Sequence, residues 1–313
     1  MGRSTMLIAT ACSLVFLLCS QGVWSMINLA DTPCGKIARG SRRFHQRILG
    51  GSEVHISEFP HSVSLRKDGE HFCGGVLVHK HYVLTAAHCV HNRPPKVWQV
   101  AVGEQNTVKL DGTEQLMEVE QIIEHPDYIY PKLLNDIAII RIDKPVIWNK
   151  MAQPVCLPDP LRRTAKGLGY LAGWGYDNES KKGGVPTETL HMARIPILEN
   201  DVCESWLMSQ GKSISLAPTH LCAGHEFGAI DGCQADSGGG LVSVDDDQLL
   251  VVGIMSAGIG CGREKMPGLY TRVEKFIPWI QSEIKGGARI KRGTDQDSRP
   301  NPKFHWWDQL ANE

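Results

Sequence analysis

From residue 61 onward, hydrophobic and polar positions alternate in short runs. "HSVSL" puts Val63 and Leu65 on one face, and "HFCGGVLV", "YVLTAA", "VWQVAV", "IAIIRI", "GYLAGW" and "LLVVGIM" follow. "KDGE", "LDGT" and "RPP" punctuate them with turn residues. Short strands at roughly ten-residue intervals predict an all-β sandwich or barrel. One segment has the helical period instead: in "VEKFIPWIQSEIK", Phe276, Ile280 and Ile284 fall four apart on one face. Beyond Lys285 glycines, prolines and charges leave little to bury, so residues 286–313 read as a mobile tail. Its Arg289, Lys291 and Arg292 read as a solvated charge run.

The N-terminal end has a different pattern. Arg3 precedes the apolar stretch "MLIATACSLVFLLC", and the small residues Ser20, Gly22 and Ser25 come next. That order matches a cleaved secretory signal over residues 1–25, with the cut near Ser25 or at Gly22. The alternative is a membrane anchor, but the run is short of the about 20 residues a span needs. Residues 26–47 are polar and basic and end "SRRFHQR", directly before "ILGG".

Composition narrows the class. Of 313 residues 42% are hydrophobic and 21% charged, with a net charge of −1. This balance excludes a general nucleic-acid or membrane-surface binder, and there is no repeat or heptad pattern. Two of the ten cysteines, Cys12 and Cys19, lie in the signal. The other eight are Cys34, Cys73, Cys89, Cys156, Cys203, Cys222, Cys233 and Cys261. An even number behind a signal predicts a disulfide framework in a secreted, extracellular protein. Spacing alone leaves on the order of a hundred pairings open. No tight pair of C-x-x-C motifs supports zinc.

Candidate chemistry starts at "GCQADSGGGL", where Ser237 precedes three glycines. A serine hydroxyl is a weak nucleophile unless a base lies within hydrogen-bond reach and a third group orients that base. "LTAAHC" offers His88 after an apolar strand, and "NDIAII" offers Asp136 at the head of another.

Together with "RILGG", "AGWG" and "MPGLYTRV", these segments make the chain resemble the trypsin-like serine proteases of the chymotrypsin fold, from about Ile48 to Lys285. The resemblance implies two six-stranded antiparallel barrels packed together with a C-terminal helix, in a protease domain over 48–285 preceded by a propeptide over 26–47. It implies Ser237 as nucleophile, His88 as general base and acid, and Asp136 as the group orienting His88. It pairs Cys73 with Cys89, Cys203 with Cys222, Cys233 with Cys261, and Cys34 with Cys156, the last keeping the propeptide attached. A further bridge common in the family would join positions 169 and 243, here Gly169 and Ser243, so both ends are absent together.

The same resemblance makes "QRILGG" an activation site. Cutting after Arg47 frees the Ile48 amine, which would pair with Asp236. Asp231, six residues before Ser237, would form the floor of the primary pocket, with Ser256, Gly258 and Gly268 as further substrate-binding positions. An acid there implies cleavage after Arg or Lys. No cofactor is needed for the chemistry. Glu104, Asn106, Lys109, Asp111 and Glu114 match a calcium loop whose ion would be structural, with an acidic surface loop as the alternative. The partners implied are protein or peptide substrates, an activating trypsin-like protease and protein inhibitors, without nucleic acid or stable membrane insertion. "NES" at Asn178 is a glycosylation sequon.

Three positions depart from the family pattern. Ala235 replaces the glycine whose N–H joins that of Ser237 in the oxyanion hole, Ala257 replaces a tryptophan, and Gly240 replaces a proline. Ala235 gives weight to a second reading, a weak or inactive homologue acting as a binding protein.

Overall fold

The structure is a computed structural model, and it describes residues 26–27, 29, 32–37, 51–160, 165–175, 187–228, 236–258 and 263–287. Six antiparallel strands close the first barrel: β3 (Ser62–Lys67), β4 (Glu70–His79), β5 (Tyr82–Thr85), β6 (Trp98–Val102), β7 (Gln115–Glu124) and β8 (Ala138–Ile142). Their order is β3-β4-β5-β8-β7-β6. The second barrel comprises β10 (Gly167–Gly173), β11 (His191–Leu198), β12 (His220–Ala223), β13 (Gly240–Asp245), β14 (Gln248–Ala257) and β15 (Gly268–Arg272). Its ring runs β10-β13-β14-β15-β12-β11, and a β10–β11 pairing closes it. A short β2 (Ser52–Glu53) adds to β11, and β1 (Met26–Ile27) pairs with β9 (Leu157–Pro158).

Local chemistry accounts for the tight connections. Asp68 and Gly69 both take positive φ between β3 and β4, the turn whose twist matches paired strands. Asp246 and Asp247 do the same between β13 and β14. One apolar core fills the first barrel and continues through Tyr170, Trp174 and Val251 to the C-terminal helix. That helix begins as a tight turn at Val273–Phe276 and continues as α3 (Ile277–Gly287). Phe276, Ile280 and Ile284 are buried, as the period predicts, each side chain contributing roughly 1.5–3 kcal/mol of apolar burial.

Two expectations need correcting. The chain has a second substantial helix, α2 (Asn200–Ser209), where the sequence pattern predicts helix at the C-terminal end alone. Only Cys203 and Leu207 are buried on α2, so its apolar stripe is too narrow to stand out. The C-terminal helix also runs to Gly287, two residues into the predicted tail.

Disulfides join Cys34–Cys156, Cys73–Cys89 and Cys203–Cys222. The Cys233–Cys261 pair, the signal and the remainder of the tail lie outside the described residues. Gly169 and Ser243 are direct partners across β10 and β13, so the two positions that would carry the missing bridge do face each other. Among the described residues no helix is long and apolar enough to cross a membrane.

Candidate active site

The site forms where the two barrels meet. β5 ends at Thr85, and the chain turns into the single-turn helix α1 (Ala87–Val90), which carries His88. Asp136, fully buried just before β8, receives three hydrogen bonds. The His88 backbone N–H donates to Oδ1 at 2.8 Å, His88 Nδ1 lies 2.7 Å from Oδ2, and the Ser256 hydroxyl donates to Oδ2 at 2.5 Å. The Thr271 hydroxyl donates to the Asp136 carbonyl at 2.7 Å. A carboxylate accepts only, so it holds the imidazole proton on Nδ1 and leaves the Nε2 lone pair available. Ser256, near the end of β14, thus ties the second barrel to Asp136.

The Ser237 turn is stapled between both barrels. Gly74 N–H donates to the Ser237 carbonyl at 2.7 Å, Gly238 N–H to the Met255 carbonyl at 2.8 Å, and Met255 N–H to the Gly239 carbonyl at 2.9 Å. Gly238 has φ +82, and a Cβ there would overlap the Thr85 hydroxyl. A Cβ on Gly74 would meet the Gly239 amide. A Cβ on Gly239 would meet the Asp236 carbonyl oxygen, so the first two glycines of the run are explained by close approach.

The Cys73–Cys89 bridge brings the nucleophile turn and the imidazole together. Cys89 Sγ lies 3.7 Å from His88 Nε2 and 3.6 Å from the Ser237 carbonyl oxygen. Cys73, His88 and Cys89 are the sole cluster of potential metal ligands among the described residues, but the bridge occupies both sulfurs. The Ser237 hydroxyl makes no hydrogen bond to His88 Nε2 among the described residues, and such bonds commonly tighten only when substrate binds.

Asp236 occupies a slot along Gly173, Trp174 and Gly175. The Gly175 N–H donates to its Oδ1 at 2.9 Å, and a Cβ on Gly173 or Gly175 would overlap its carboxylate. Ala257 is half-buried opposite Leu269, Gly258 follows it exposed, and Gly268 opens β15 as a buried residue. Gly240 opens β13 opposite Ile254. Arg47, Ile48, Asn178, Asp231 and Ala235 lie outside the described residues.

In the candidate calcium loop, Asp111 and Glu114 are bonded by loop amides and lie near enough to Glu104 for their charges to act on it. Asp111 accepts from the Asn106 amide, and Glu114 accepts from the amides of Asp111 and Gly112. Burial would raise the Glu114 pKa, but the Asp111, Gly112 and Thr113 amides outweigh it and hold the group below its ordinary value. Glu104 faces Arg66, whose Nη1 lies 3.5 Å from Oε2 while Nη2 donates to the Thr107 carbonyl at 2.7 Å. Burial still pushes the Glu104 pKa up to about 7. The three carboxylates do not gather within 4.8 Å of one another, but Oε2 of Glu104 is buried without a hydrogen bond and has only the Arg66 ion pair at 3.5 Å.

Sequence reasoning missed Gln105. Its side chain and carbonyl bond to Val54, Ile56, Trp174 and Leu190, and a lone glutamine in a polar loop gives no signal of this.

The closed twin barrels, the Asp136–His88 pair and the glycine-stapled Ser237 turn agree with a comparison against family models, which matches trypsin over residues 48–280. That span covers well over half of the chain, and the chain belongs to the trypsin family of serine peptidases.

Proposed function

We propose that the chain is the secreted zymogen of an endopeptidase that cleaves after Arg or Lys through an acyl-enzyme on Ser237. The observation that carries this reading is the buried Asp136 carboxylate with three donors on it, two of them from His88. In the proposed cycle, His88 Nε2 takes the Ser237 proton as the oxygen attacks the substrate carbonyl. Asp136 stabilises the resulting imidazolium. His88 then protonates the leaving amine, and a water activated by the same nitrogen hydrolyses the ester.

The backbone N–H groups of Ala235 and Ser237 would hold the oxyanion. Ala235 carries a methyl group where the family has none. A misaimed donor of this kind costs about 10²–10³ in rate, which slows the enzyme without abolishing turnover. Asp231 supplies the carboxylate for a substrate cation. Secretion is supported by the signal-like N-terminus and by three disulfides of the kind oxidising compartments favour. The Cys34–Cys156 bridge would keep the propeptide attached after a trypsin-like protease cuts at Arg47. Protein inhibitors that present an Arg or Lys loop are the expected regulators, and Asn178 is the expected glycan site.

The test compares the Arg47-cleaved chain with an Arg47→Gln chain on peptide amides that differ only in the residue before the bond. Turnover confined to the cleaved chain and to Arg or Lys peptides is expected. Full turnover by the uncut variant, or equal cleavage after neutral residues, would overturn the activation or the specificity assignment respectively. The reading as a non-enzymatic homologue, favoured by Ala235, predicts no turnover in either form.

A further inference from the structure

We infer that Gln105 is a positioning residue for activation: its side chain fixes the segment from which the new N-terminus reaches Asp236, and its main chain fixes the wall of the slot that receives it. The inference rests on the proposed cut after Arg47.

Gln105 lies on the loop after β6 and is half-buried. Its amide makes two bonds to one stretch of backbone. Nε2–H donates to the Val54 carbonyl at 2.9 Å, and Oε1 accepts from the Ile56 N–H at 2.7 Å. The partners fix which end of the amide is which, because the Ile56 N–H can only donate and the Val54 oxygen can only accept. A neighbouring strand would make the same paired contact. Immediately upstream, Ser52 and Glu53 are held by Met192 and His191 of β11. The chain is therefore anchored from residue 52, and the four residues ahead of it, 48–51, have a chain length of at most about 14 Å.

The other half of Gln105 points at the receiver. Its carbonyl accepts from the Trp174 indole Nε1–H at 3.2 Å and from the Leu190 N–H at 3.0 Å. Trp174 stands between Gly173 and Gly175, the two residues that pack on the Asp236 carboxylate. One residue thus secures the post of the tether and the wall of its socket. None of its hydrogen bonds involves His88, Asp136 or Ser237.

The consequence follows from linkage. A tether that is already ordered loses less conformational entropy when its end inserts. Insertion requires the charged α-ammonium, so it raises that group's pKa above the ordinary 7.7–8.0 or so of a free α-amine. The active form is then fully present below the free value and lost as pH rises through the raised one. Weakening insertion tenfold lowers the alkaline midpoint by about one pH unit.

The experiment uses the full chain after cleavage at Arg47, comparing wild type with Gln105→Met, which keeps length but removes donor and acceptor. Turnover per titrated active site is followed from about pH 7 to 11, and Tm is recorded for each protein. Wild type is expected to show an alkaline limb. Gln105→Met is expected to shift its midpoint down by about 0.5–1 unit, with kcat at neutral pH within about twofold. Trp174→Phe, which removes the indole N–H and leaves a smaller ring in the core, should shift it in the same direction, and it decides the question, read against its own Tm, if Gln105→Met does not fold. A Tm loss without a midpoint shift would overturn the inference, because it marks a merely structural role. A wild type with no alkaline limb would overturn the activation reading itself.

Discussion

Replacing Asp136 by asparagine probes the site atom by atom. Three donors converge on the carboxylate: the His88 N–H on Oδ1, and His88 Nδ1–H with the Ser256 hydroxyl on Oδ2. Asparagine offers one acceptor oxygen and one NH₂ group. If its oxygen replaces Oδ2, the NH₂ faces the His88 backbone N–H, donor against donor, at a fully buried position. Leaving those donors unpaired costs about 1–3 kcal/mol. If its oxygen replaces Oδ1, that conflict disappears and the NH₂ donates to His88 Nδ1. The imidazole proton then moves to Nε2, and the Ser256 hydroxyl turns to accept. The second arrangement wins, and it presents Ser237 with an N–H where a lone pair is needed. We expect kcat to fall about 10⁴-fold, the loss known for this exchange in the family's triad, equivalent to about 5.5 kcal/mol. KM should hold within a few-fold, because a residue with no exposed surface touches no substrate. The assay is steady-state hydrolysis of an arginyl amide by the activated chain, with Tm and circular dichroism as folding controls. A kcat within about tenfold of wild type in a folded variant would refute the claim that this carboxylate sets the tautomer.

Three further outcomes follow from other parts of the molecule. His61 is buried and its pKa is lowered by desolvation from 6.5 to about 3. The unfolded state therefore binds the extra proton first, stability falls as pH drops from 6.5 towards 3, and His61→Phe should flatten that acid limb in denaturant titrations; an unchanged limb would contradict the assignment. Calcium at millimolar level should leave Tm where chelator leaves it, since the Asp111 and Glu114 carboxylates are taken by loop amides and Arg66 faces Glu104; a calcium-dependent rise of more than about 4 °C would contradict this. The double variant Gly169→Cys with Ser243→Cys should close a bridge, because these residues are direct cross-strand partners at a spacing disulfides accept. Mass spectrometry should show the loss of two hydrogens, and two free thiols would mean the register is wrong.

Much of this fold was legible because burial repeats along the chain. In β8, Ala138, Ile139, Ile140 and Ile142 are all buried, and such a run can hardly be anything but a core strand. β7 escaped notice because "QLMEVEQIIE" mixes buried Met117 and Val119 with exposed charges, so its alternation is diluted. β11 and β12 owe their strand state to neighbours across the second barrel more than to their own composition. The candidate triad stood out for another reason: the local settings of His88, Asp136 and Ser237 are distinctive even though the residues are distant in sequence. The joint absence at Gly169 and Ser243 was legible too, and the register accounts for it. The calcium loop shows the limit, since spacing reports which oxygens are near one another but not what they already bond. Gln105 shows it again, because its partners at residues 54, 56, 174 and 190 meet only after both barrels have closed.

The central claim is that the Ser237 hydroxyl is activated by His88 once the chain has been cut. A fluorophosphonate reacts with such a serine and with few others. Incubating the Arg47-cleaved chain with this reagent and mapping the adduct by mass spectrometry should give near-stoichiometric labelling at Ser237, strongly reduced in His88→Ala and in the uncut Arg47→Gln chain. A cleaved, folded chain that stays unlabelled, or is labelled equally without His88, would contradict the account.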